Sequence, residues 1–137
     1  MTEPIKIILV DNNLQFLEGL QLFFQRDSKY HVLELLSNGE QLVSSDKLHL
    51  ADLIISDIDM PVMGGVEAAR KVNEKLPHLP IIALTMHVES VFIADMISAG
   101  FKGYVYKPKL TKDLIRVINE VLNESVSFPD NLKENNN

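Results

Sequence analysis

Five apolar runs alternating with amphipathic stretches predict an α/β fold, a doubly wound sheet of five parallel strands. The runs lie at 5–10, 30–36, 53–57, 81–84 and 103–106. Each is followed by apolar residues at helical spacing. The runs are largely continuous in apolar character, as strands covered on both faces require. Strands and helices in strict alternation imply right-handed βαβ units.

The first strand, Ile5–Val10, is interrupted only by Lys6. Asn12 or Asn13 can cap the helix that follows, which carries Phe16, Leu20, Phe23 and Phe24 on one stripe. Leu14, Leu17 and Leu22 fall off that stripe and are expected at the surface, where they could meet a partner. The second strand spans 30–36, and Asn38-Gly39 opens a short helix with Leu42 and Val43. The third strand, 53–57, leads through Met60-Pro61 and Gly64-Gly65 into a helix over 65–76 bearing Val66, Ala69 and Val72. Pro77 and Pro80 precede the fourth strand. A helix over 89–99 ends at Gly100, a residue suited to the position just past a helix C-terminus. The fifth strand closes at Lys107-Pro108, a bond that could be cis. Thr111 is expected to cap the last helix, with Leu114, Ile115, Ile118, Val121 and Leu122 along it.

A chain of 137 residues supports one domain with a core and is short for two. Its net charge of −6 argues against direct nucleic-acid contact, which needs clustered cations. The absence of cysteine excludes disulfides and thiol chemistry. No signal-peptide pattern opens the chain, and no apolar stretch reaches membrane-spanning length. The expectation is a soluble cytoplasmic domain over residues 1–124. Beyond it, SVSFPDNLKENNN at 125–137 reads as a tail in which Phe128 could dock.

Ligands of open parallel sheets bind beyond the carboxyl ends of the strands. There the first strand delivers Asp11 and Asn12, the third Asp57 and then Asp59, the fourth Thr85, the fifth Lys107. Singly, each has an ordinary explanation as a cap, a turn residue or a solvated charge. Jointly they would gather carboxylates, a hydroxyl and an ammonium in one crevice. The residues alone leave Asp57 open as nucleophile, metal ligand, catalytic acid or strand cap.

The motifs IILVDN, LIISDIDMPVMGG, IIALTMH and GFKGYVYKP, in this order and spacing, resemble a response-regulator receiver domain of the NarL/LuxR class. The resemblance covers about residues 5 to 124. It implies a flavodoxin-like (βα)5 fold with strand order 2-1-3-4-5. It implies two-component signalling, with Asp57 as phosphoacceptor for a sensor histidine kinase or phosphotransfer protein, forming an acyl phosphate. Mg2+ would bind Asp11, Asp57 and the backbone carbonyl of Asp59, with Asn12 held weakly or through water. Thr85 and Lys107 would contact phosphoryl oxygens. Tyr104 would be the switch aromatic, turning inward to reshape the surface of the fourth helix, fifth strand and fifth helix. Such a domain phosphorylates and slowly dephosphorylates itself but is not a turnover enzyme. The class often pairs as homodimers, and its members usually control transcription through a DNA-binding domain reached by a linker, whose start the 125–137 segment resembles.

The sequence departs from the family pattern at several points. Receivers usually carry two adjacent acids after the first strand, whereas Asn12 keeps an oxygen and loses a charge. Weaker magnesium binding is expected. Asp59 could restore part of the negative field. Met86 could narrow access to Asp57, and His87 could orient a water. His31, His49 and His78 show no metal-ligand spacing. Two other readings compete. Asp57-Ile58-Asp59 also suits haloacid-dehalogenase-type phosphatases, although their motif sits on the first strand. Asn12 could mark a receiver that acts by binding alone.

Overall fold

The computed structural model describes residues 3–86 and 90–123. Five parallel strands form one sheet in the order β2-β1-β3-β4-β5. They are β1 (Ile5–Val10), β2 (Tyr30–Leu36), β3 (Leu53–Asp57), β4 (Ile81–Thr85) and β5 (Gly103–Tyr106). The helices are α1 (Leu14–Gln25), α2 (Gly39–Val43), α3 (Gly65–Lys75), α4 (Ser90–Ala99) and α5 (Leu110–Leu122). The expected doubly wound architecture and strand order are therefore observed. His87, the expected start of the fourth helix at Glu89, and the 125–137 segment with Phe128 lie outside the described residues.

The sheet divides the interior into two cores. On one face Ile8, Val10, Ile54, Ile81, Ala83 and Tyr104 pack against α2, α3 and α4. On the other, Ile7, Leu9, Ile55, Ile82, Leu84 and Val105 pack against α1 and α5. Neighbouring residues of each strand thus face opposite layers, the two-residue period of a strand buried on both sides. All five residues of β3 and of β4 are buried.

Local chemistry sets the helix ends. Asn13 caps α1, its Oδ1 accepting from the Phe16 N–H at 3.1 Å. Asn38 does the same for α2 through the Gln41 N–H at 2.9 Å. Beyond α4, Gly100 takes φ +101. The Phe101 N–H returns to the Met96 carbonyl and the Gly100 N–H to that of Ile97, which satisfies two of the last carbonyls.

Three expectations are corrected. Leu17 is core, only 3% exposed, while Phe16 and Phe23 are half-buried. The buried stripe of α1 is Leu17, Leu20 and Phe24, so the helix is rotated from the phase its aromatics suggested. Leu14 and Leu22 are exposed as expected. Thr111 is the second residue of α5 and not its cap. A 3-10 turn at Lys107–Lys109 feeds the helix directly, without a side-chain cap. The Lys107-Pro108 bond is not cis.

Between β3 and α3 two backbone segments approach closely. A Cβ on Gly65 would run into the Asp57 carbonyl oxygen, so only glycine lets α3 begin this close to the strand end. Three residues earlier Val62 adopts φ 70, and the Met63 N–H closes a three-residue turn onto the Pro61 carbonyl at 2.8 Å. That conformation is strained for a β-branched residue. Nothing in the core holds the side chain, which is 76% exposed. Val62→Gly is expected to stabilise the protein by about 1 kcal/mol, the relief of strain less the added chain entropy of glycine. Urea denaturation would measure it as a raised midpoint with unchanged slope.

Candidate functional site

Parallel register assembles the site. Val10 pairs with Ser56, so Asp11, one residue on, lies beside Asp57. Asp57 pairs with Leu84, which places Thr85 one step beyond it. Thr85 pairs with Tyr106, and Lys107 follows. Strand alternation then sorts the side chains. Asp57 shares the parity of Ile55 and Leu53, on the α1/α5 face, whereas Thr85 shares that of Ala83 and Ile81, on the α3/α4 face.

Asp11, Asp57 and Thr85 are all buried. The Lys107 ammonium lies 2.7 Å from Asp11 Oδ2 and 3.6 Å from Asp57 Oδ2. Asp57 Oδ1 accepts from the Ile58 N–H at 2.8 Å, and the Asp59 N–H also donates to this carboxylate. Asp11 Oδ1 accepts from the Asn13 N–H at 2.9 Å. Its Oδ2 is buried and makes no directed hydrogen bond, although the ammonium is near. We read that contact as charge attraction with poor hydrogen-bond direction. The Lys107 ammonium also stands over the Phe16 ring, 4.6 Å from its centroid.

Burial raises the Asp57 carboxyl above its ordinary value of 3.8, and the neighbouring charge of Asp11 raises it further. Lys107 and the backbone N–H groups of Ile58 and Asp59 pull the other way without cancelling the rise. Tyr104 is buried on the opposite face, and burial, then the nearby Tyr106, push its phenol up to about 12. Its hydroxyl therefore stays protonated at neutral pH.

The donor set fits a hard divalent cation. Asp11 presents an orphaned buried oxygen beside a second carboxylate, which suits an ion that prefers oxygen and keeps waters. Among the described residues no three histidine, cysteine or acidic side chains converge as a metal cluster. The Asp59 side chain is exposed, as is Asn12. Met86, 57% exposed, stands in solvent just past β4.

Comparison with known proteins agrees with this arrangement. A profile of the response regulator receiver domain matches residues 7–119. The chain belongs to that family. The receiver is 33% identical over 130 residues to the transcriptional regulatory protein YdfI of Bacillus subtilis (strain 168), covering 93% of this chain and 60% of that one. It thus spans about three fifths of that regulator's length. The crystal structure of a LuxR-family two-component response regulator from Aurantimonas sp. SI85-9A1 superposes with a TM-score of 0.87. That pair shares 24% identity over 96% of this chain and 94% of the other. A chain of the CheX–CheY–BeF3–Mg2+ complex from Borrelia burgdorferi gives 0.79 at 21% identity, covering 86% and 89%. Among the described residues of this chain no helix is long and apolar enough to cross a membrane.

Of the residues expected in the receiver's site, the structure brings Asp11, Asp57 and Lys107 into contact. Thr85 lies beside them by register, Asn12 and Asp59 are exposed, and Tyr104 packs in the far core. Phe16 was legible only as an apolar helix position. Its place five residues after Asp11, on the first turn of a capped helix, was the available signal.

Linkage gives this site a pH signature. The folded receiver holds the Asp57 proton more tightly than the unfolded chain does. Stability from this group is full below the ordinary carboxylate range and is lost as pH rises through the raised value. Asp57→Asn is therefore expected to stabilise the receiver at neutral pH in the presence of a chelator. The advantage should shrink on acidification through the carboxylate range. Urea midpoints of both proteins across pH would test this, and an advantage that grows with acid would refute it.

Proposed function

We propose that this receiver accepts a phosphoryl group on Asp57, from the phosphohistidine of a sensor kinase or phosphotransfer protein, with Mg2+ bound beside it. The observation that carries the reading is the oriented Asp57 carboxylate. Oδ1 is held by the Ile58 N–H, and Oδ2 faces the ammonium that also neutralises Asp11. The held oxygen fixes the orientation of the other, which is what a nucleophile needs.

Asp57 Oδ2 forms the bond to phosphorus. The bond from phosphorus to the donor nitrogen breaks, and its electron pair stays on the imidazole. Lys107 moves from Asp11 toward the incoming phosphoryl oxygens, as a point charge on a flexible stem can. That movement frees Asp11 Oδ2. Asp11, Asp57, the Asp59 carbonyl and, weakly or through water, Asn12 would hold the cation. When bound, Mg2+ supplies positive charge that offsets repulsion between phosphate and carboxylates. The B. burgdorferi complex, of the same fold, contains BeF3 and Mg2+, which supports the reading.

The Thr85 hydroxyl donates to another phosphoryl oxygen. Its displacement is read by Tyr104 on the same face, and the surface of α4, β5 and α5 responds. The domain spans residues 1–124, residues 125–137 lead toward a DNA-binding output domain, and the whole regulator controls transcription in the cytoplasm. YdfI, named a transcriptional regulatory protein, supports the last point. The chain itself contacts neither nucleic acid nor membrane, pairs as a homodimer, and works as a switch without turning over a substrate.

Incubation with a small-molecule phosphodonor, followed by intact mass, tests the reading. A magnesium-dependent gain of one phosphoryl group is expected in the wild type and not in Asp57→Asn. No gain at high magnesium would replace this function with that of a phosphate-independent binding module. A second expectation concerns the missing acid. Asn12→Asp should tighten Mg2+ binding by roughly tenfold through its added charge, measured by titration calorimetry.

A further inference from the structure

Among the described residues, the ammonium of Lys107 contacts two carboxylates and one group that carries no formal charge. Besides Asp11 Oδ2 and Asp57 Oδ2, it lies over the face of Phe16, 4.6 Å from the centroid. A cation at that distance is attracted by the negative face of the ring. The arrangement is tied together locally. Asp11 Oδ1 accepts from the Asn13 N–H, and Asn13 Oδ1 accepts from the Phe16 N–H. The first turn of α1 therefore hangs from the same acid that pairs with the lysine. Phe16 is half-buried: it packs against the edge of the α1/α5 core while lying outside the buried stripe of its own helix, and one face of its ring meets the ammonium.

We propose that Phe16 is a positioning residue for Lys107. The inference rests on the phosphoacceptor reading of Asp57. During phosphoryl uptake both carboxylates acquire new partners, and Lys107 has to leave Asp11. The attraction of the ring does not change with those events. It keeps the ammonium at the mouth of the site, poised between the acid it leaves and the phosphoryl oxygens it meets. Without the ring, the long side chain would have to be recaptured from solvent at each encounter.

Two readouts test this on the full chain. The first needs no phosphodonor. In the wild type, the Lys107 ε-methylene protons should resonate upfield, shifted by the ring current of Phe16. Phe16→Leu should return them to the range of the other lysines, and Phe16→Tyr should keep them upfield. The second is the rate of phosphorylation by phosphoramidate with Mg2+, followed by intact mass. Phe16→Leu should slow it about three- to tenfold, as loss of a partly desolvated cation–π contact implies, and Phe16→Tyr should restore it. Unshifted Lys107 protons in the wild type would overturn the proposal, as would a Phe16→Tyr protein that is folded and as slow as Phe16→Leu. Should the wild type show the shift and take no phosphoryl group, the phosphoacceptor reading fails and the catalytic part of this inference falls with it. Absence of the shift in a wild type that is phosphorylated normally would overturn only the role of Phe16.

Discussion

Two carboxylates and one ammonium share a buried corner at the end of the two central strands, and much of the structure answers to that imbalance. A parallel sheet forces the pair together, because Asp11 and Asp57 follow directly from paired residues of β1 and β3. Neither backbone can shift without breaking the register of β1 and β3, whose paired residues are buried. Their charges must then be met locally. Backbone N–H groups of Asn13, Ile58 and Asp59 supply part of what is needed, and Lys107, arriving from the far strand, supplies the rest. One negative charge remains in excess, the condition under which a buried site attracts a cation.

The same corner organises the elements around it. Asp11 holds the residue that caps α1. The Ile58 carbonyl, next to Asp57, receives the Gly65 N–H at the head of α3. The intervening loop is strained at Val62, and Asp11 Oδ2 is buried without a directed hydrogen bond. These features are costs to folding concentrated within a few residues of one carboxylate. Strain and unsatisfied polarity gathered in one place among the described residues mark a site kept for its chemistry.

The periodic features of the fold were readable from the sequence, and the individual side-chain assignments less so. Apolar runs located all five strands, because burial on both faces leaves little choice of residue. Polar groups at strand ends located Asp11, Asp57, Thr85 and Lys107, since register is a geometric consequence of pairing. The phase of α1 was not readable. Three phenylalanines outweighed Leu17 as a core signal, yet Phe16 and Phe23 pack only at the margin of the α1/α5 core, Phe16 also meeting the lysine and Phe23 the edge of Phe24. The start of α5 was hidden by the 3-10 turn after Tyr106, which carries no capping side chain to read. The conformation of Val62 left no trace either, because valine is the residue a left-handed position least suggests.

The sheet is also a partition. Lys107 and Phe16 belong with α1 and α5, while Tyr104 packs among α2, α3 and α4, and Thr85 points into the same layer by its parity. A charge arriving at Asp57 therefore stands at the edge of two assemblies packed on opposite faces of the sheet. Substitutions in different layers should be thermodynamically independent, with costs that add, while those within one layer couple. The domain is in this respect two instruments mounted back to back on one detector, and evolution can retune either without detuning the other.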